Sequence, residues 1–152
     1  MTSQEKSINQ VYSAICHSKS IYEKAADAAH SISLKSDLLE LAKEREVYAK
    51  RLKDYMTGHG YTVTSTTNFD LDNWYENLEI AMSNLFVEKN TPNLLKHVIR
   101  ADEVLDKTIS NCREELVGQS EDGLTEELDV IKAHIDQEIE ITKERLSHYG
   151  WP

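Results

Sequence analysis

The placement of helix breakers constrains this chain more than any other feature. Its glycines are Gly58, Gly60, Gly118, Gly123 and Gly150, and its prolines are Pro92 and Pro152. None interrupts a stretch of helical periodicity, so the chain divides into long blocks that can each run as an unbroken helix.

The first block, about Ser3 to His30, opens on a Thr2–Glu5 capping-box spacing. It keeps Ile8, Val11, Ile15, Tyr22, Ala25, Ala26 and Ala29 on one stripe. A short connection, Ser31 to Ser36, sends the second helix back over about Leu34 to Thr57, with Leu38, Leu41, Ala42, Tyr48, Ala49, Leu52 and Met56 inward. Gly58-His59-Gly60 is a stop signal. The Thr-rich segment Tyr61 to Phe69 has β propensity but no strand partner elsewhere, and reads as a loop. Asp70 is placed as the cap of a third, shorter helix reaching about Lys89, with Leu71, Trp74, Tyr75, Leu78, Ala81, Met82 and Leu85 inward. Thr91 caps and Pro92 opens a fourth helix to about Val117, with Leu94, Val98, Ala101, Leu105, Ile109, Cys112 and Leu116 inward. The fifth follows Asp122-Gly123 and ends at Tyr149-Gly150, with Leu128, Ile131, Ile135, Ile139 and Leu146 inward.

Four long amphipathic helices and one short one make a single all-α domain over residues 1–152. The expected architecture is an antiparallel four-helix bundle in which the short third helix carries the chain back from the end of the second to the start of the fourth. A plain up-and-down arrangement of five helices satisfies the same pattern. At 152 residues the chain is long enough to bury a core without a metal or disulfide staple.

Charge narrows the partners. With 17 basic against 27 acidic residues the net charge is -10, which argues against nucleic acid and against an anionic membrane surface. No apolar run approaches the roughly 18 residues a membrane span requires. The N-terminus lacks an apolar signal core, and Cys16 and Cys112 form no disulfide framework, so the expected compartment is the cytoplasm.

Function in a bundle is built from polar side chains that point inward. The apolar stripes admit Ser18 on the first helix, Arg45 on the second, Asp102 on the fourth, and Glu138 with His134 one turn earlier on the fifth. All fall in the middle third of their helices. One reading is a metal site, since carboxylates and imidazole at mid-bundle suit iron or manganese. The Glu-x-x-His signature of di-iron bundles is missing: three positions before His134, His97, His17 and His148 stand Ile131, Leu94, Ala14 and Arg145. Only Asp27 before His30 has an acid at that spacing, off the stripe. Arg45 would put a fixed positive charge where two cations belong. The preferred reading is therefore a buried polar layer in which Arg45 pairs with Asp102 and Glu138, with Ser18 and His134 beside them. A mononuclear metal site using Asp102, His134 and Glu138 is the alternative. His97-Val-Ile-Arg-Ala faintly suggests a phosphotransfer histidine, but a surface histidine is the simpler reading. No nucleophilic triad or phosphate-cradling glycine loop is present.

From Ile8 to Leu146 the chain resembles a bacterial family of ferritin-like four-helix-bundle proteins, within the wider rubrerythrin and ferritin-like superfamily, grouped mainly as a domain of unknown function. The likeness rests on Ile21-Tyr22-Glu23-Lys24-Ala25-Ala26, Leu41-Ala-Lys-Glu-Arg-Glu-Val-Tyr48, Arg100-Ala-Asp102-Glu103 and Ile131-Lys-Ala-His134. The resemblance implies a ferritin-like fold and little about activity. His17-Ser18 stands where that pattern has an acid and a glycine, and Asp102 where it usually has glutamate, which weakens an inherited metal function. Glu44-Arg45 matches the pattern. The resulting expectation is a non-catalytic bundle acting as an interaction or stress-associated protein, with self-association as part of that reading. Its rival is a degenerate or mononuclear metal-binding bundle with a redox or metal-storage role.

Overall fold

In a computed structural model the described residues are 2–64, 69–88, 90–118 and 123–148. They form α1 (Ser3–Ala28), α2 (Ile32–Gly58), α3 (Phe69–Glu88), α4 (Thr91–Glu115) and α5 (Leu124–Ser147), with no strand among them. None of these helices is long and apolar enough to cross a membrane.

The ends follow local chemistry. Thr2 caps α1 by accepting the amide of Glu5 at 3.1 Å. Ser31 accepts the amide of Leu34 at 3.0 Å, so α2 starts at Ile32 and the connection shrinks to residues 29–31, shorter than the spacing suggested. Asn90, rather than Thr91, caps α4 through the amide of Asn93, because the amide side chain reaches the same orphan donor one position earlier. Asp70 lies inside the first turn of α3 instead of capping it, and its charge still meets the positive end of the helix. At the end of α2, Gly60 takes φ +73°. The amide of Tyr61 then reaches the Met56 carbonyl at 2.8 Å and that of Gly60 the Thr57 carbonyl at 3.1 Å. This pair of bonds is a Schellman closure, and it satisfies carbonyls that α2 would otherwise leave orphaned. Residues 61–64 run without regular structure, as expected. Asn9 of α1 holds them, donating to the Thr62 carbonyl and accepting from the Thr64 amide, both at 2.8 Å. Ser65 to Asn68, Lys89, Asp122 and the expected end at Tyr149-Gly150 lie outside the described residues.

Contacts along the helices give their directions. The short link makes α1 and α2 antiparallel. Tyr22 meets Asp102 and Ser7 meets Glu115, so α4 also opposes α1. Residues Asp37, Arg45 and Arg51 of α2 meet Arg145, Glu138 and Glu127 of α5, again antiparallel. Arg113–Asp129 and Asp106–Lys132 make α5 oppose α4. Ser13 meets Asp72 and His17 meets Glu79, so α3 runs alongside α1 in the same direction and returns the chain to the start of α4.

Helix α1 packs on α2, α3 and α4, and α4 packs on α1, α3 and α5. That central position explains why α1 buries Ser7, Asn9 and Ser13 as well as its apolar stripe. The core joins Ile8, Val11, Ile15, Leu52, Met56, Tyr75, Met82, Leu105, Ile109, Ile131 and Ile135 from all five helices. Burying each such side chain favours the fold by about 1.5–3 kcal/mol before entropy is charged against it. Leu41, Ala49, Leu71 and Trp74, expected inward, are half-buried at the edges of their stripes. Helices α2 and α5 meet chiefly through long side chains, leaving a groove of about 450 Å³ with Val47, Val130 and Ile141 on its walls.

Candidate functional site at the centre of the bundle

The helices bring Ser18, Arg45, Asp102 and Glu138 to one level. Arg45 is fully buried. Its Nε donates to Ser18 Oγ at 3.0 Å, and its Nη2 donates to Asp102 Oδ1 at 3.2 Å and to Glu138 Oε2. Ser18 is small enough to leave room for the guanidinium, and its hydroxyl accepts one of the hydrogen bonds. The guanidinium carbon also lies 5.1 Å from the centre of the Tyr22 ring, a cation–π distance. Tyr22 in turn donates its hydroxyl to Asp102 Oδ2, so both oxygens of that carboxylate are engaged. Arg45 Nη1 and the Tyr75 hydroxyl are buried without a hydrogen-bond partner among the described residues.

Burial and charge pull these groups in opposite directions. Burial works against the Arg45 charge, but Asp102, Tyr22 and Glu138 outweigh it and hold the guanidinium protonated. Burial lifts the Asp102 carboxyl above its usual range, opposed by Arg45 and by the Tyr22 hydrogen bond. Burial pushes Glu138 up to about 7; Arg45 opposes this, while Glu44 and Asp102 add to it. One guanidinium faces Asp102 and Glu138 with Glu44 close by, and this excess of negative charge favours the protonated form of Glu138. Tyr22 stays neutral, raised first by burial and then by Asp102.

His134 does not join the buried layer. Its side chain is 52% exposed, one turn from Glu138 on the flank of α5 that the groove leaves open. There its Nδ1 lies 3.1 Å from Glu44 Oε1 and meets the hydroxyl of Tyr48, which donates to Glu44. Burial raises the Glu44 carboxyl, but the hydrogen bonds from Tyr48 and His134, with the Arg45 charge, bring it below its ordinary value. Tyr48 is shifted upward, by burial first and then by Glu44.

Tyr22, Tyr48 and Glu44 belong to the cluster although periodicity marked the two tyrosines only as core aromatics. The signal was present: Tyr22 follows Ser18 by four positions, Tyr48 follows Arg45 by three, and Glu44 precedes Tyr48 by four. A second cluster escaped the sequence reading altogether. His17 has Nε2 at 3.1 Å from Asp72 Oδ1 and Nδ1 at 3.5 Å from Glu79 Oε1. Its ring stacks on Tyr75 with centroids 5.0 Å apart, and Ser13 donates to Asp72 at 2.8 Å. Asp72 and Glu79 sit on the second buried face of α1, which no single-stripe reading of that helix shows.

The donors at the centre do not fit a di-metal centre. Both Asp102 oxygens and the facing Glu138 oxygen are bound to Arg45 or Tyr22, and the guanidinium fills the space between the two carboxylates. No group of three or more His, Cys, Asp or Glu residues with metal-binding geometry occurs among the described residues. Cys112 is a core thiol that burial pushes up to about 12, and Cys16 is also raised by burial. His97 is half-buried rather than on the surface. No protein-family model, curated protein or solved structure matches the chain.

Proposed function

We propose that the chain is a non-catalytic bundle of the ferritin-like kind, with α3 as its crossover helix, in which an ionic layer replaces a metal centre. The observation that carries this reading is Arg45: fully buried, donating to Ser18, Asp102 and Glu138, and supplying the positive charge at the level where such bundles hold cations. A buried ion pair of this type adds little net stability but penalises misregistered helices, because slippage strands a charge in the core. Its role is then to set register in a scaffold that works through its surface, as an interaction or stress-associated protein. Half-exposed Val47, Val130 and Ile141 along the α2–α5 groove support a surface role, since solvent-facing apolar side chains grouped on one face are the ordinary material of association.

The rival is a mononuclear or degenerate metal site for iron or manganese, with a redox or storage role. Elemental analysis of protein purified without chelator separates the two. The ionic layer predicts substoichiometric iron and manganese and a melting midpoint that chelator leaves in place. Stoichiometric metal, lost together with thermal stability on chelation, would overturn it.

A further inference from the structure

We propose that α3 is latched to α1 through His17 and loosened when that imidazole gives up its proton. The inference rests on the α1–α3 contact and holds whatever the polar layer does. Asp72 and Glu79 lie seven positions apart on α3, two helical turns, and therefore share one face. The His17 ring sits between them with a nitrogen toward each. Only the imidazolium has two N–H donors; the neutral ring has one, and would turn a lone pair toward the other carboxylate. The arrangement is therefore satisfied by the protonated ring and frustrated by the neutral one.

The latch connects to the centre through Tyr75. One face of its ring stacks parallel to His17, within 3°. Its buried hydroxyl lies in the field of Asp102 and Arg45, which shift it after burial itself. Movement of α3 thus shifts Tyr75, the residue of that helix that stacks on His17 and feels the central charges.

Ser13 on α1 and Asp72, Tyr75 and Glu79 on α3 meet the ring or its partners. Arg45 from α2 and Asp102 from α4 act on Tyr75. Tyr12, Cys16, Lys19 and Lys53 form a separate group in the α1–α2 groove. Burial disfavours the His17 charge, but Glu79 and Asp72 outweigh it and raise the pKa, so the latch is closed at mildly acidic pH and weakens above the ordinary histidine range. Apolar packing by Leu78, Met82 and Leu85 remains, so α3 loosens without leaving.

Amide hydrogen exchange on the full chain from about pH 5.5 to 8.5, corrected for the intrinsic rate, tests this. Protection of the α3 amides should fall about tenfold or more relative to α5 across that range, the loss expected for a charge-assisted hydrogen bond. The fall should vanish in His17→Gln and persist in Glu138→Gln, which removes the central carboxyl raised to about 7. Flat α3 protection in the wild type, or an unchanged fall in His17→Gln, overturns the latch. Should His17→Gln fail to fold, the NMR titration of His17 decides: Glu79→Gln is expected to lower its midpoint, and an unmoved midpoint refutes the proposal.

Discussion

Arg45 concentrates the energetic risk of this molecule in one side chain. Arg45→Met should destabilise the fold by about 3–5 kcal/mol, because Asp102 is left charged and unpaired in the core. Adding Asp102→Leu should recover part of that loss, since the fully buried charge is then replaced by apolar volume while Glu138 loses its cation and Tyr22 its acceptor. Urea midpoints of the single and double variants check this, and a double variant no better than the single would show that the layer stabilises by more than mutual neutralisation. Glu138 makes the layer sensitive to pH. A carboxyl held at about 7 in the fold against 4.5 in the open chain binds its proton more tightly when folded. Its contribution is complete below 4.5 and disappears as pH rises through about 7. Stability should therefore decline over that window, and Glu138→Gln should flatten part of the decline in pH-dependent denaturant melts. His17, raised as well, adds a decline of the same sign at its own position.

Among the helices, the α2 terminus offers the sharpest contrast between two neighbouring glycines. A Cβ at either Gly58 or Gly60 would meet nothing within 4 Å, so sterics are equal and only backbone conformation differs. Gly60 holds φ +73°, and Gly60→Ala should cost roughly 1–2 kcal/mol. Gly58 is helical, and Gly58→Ala should stabilise by roughly 0.5–1 kcal/mol. Thermal melts of the two variants should shift in opposite directions; shifts of the same sign would show that α2 does not end in this closure in solution. The existence and type of all five helices were legible because long 3.6-residue periodicity and intact punctuation act locally. Their ends were less so. Ser31 and Asn90 compete with neighbours for the same orphan amides, and which of them wins depends on one side-chain rotamer.

Across the whole molecule, the residues that meet at the centre were partly legible. Ser18, Arg45, Asp102 and Glu138 stood out because a polar side chain on an apolar stripe is costly and must find partners. His134 broke the pattern since α2 and α5 stay apart at their backbones, so a residue on the flank of the stripe remains wet. The His17 cluster was invisible because α1 buries a second face under α3, and one helix's periodicity reveals an apolar stripe but not which neighbour covers its polar side. The amino-acid order alone determined what is local: five helices, their inward stripes and the level of the buried charge. Only tertiary packing decided which carboxylates share the guanidinium, which histidine is enclosed and which is open, and how α3 lies along α1. Those outcomes depend on distances between helices, and such distances are set by the side chains of several segments at once.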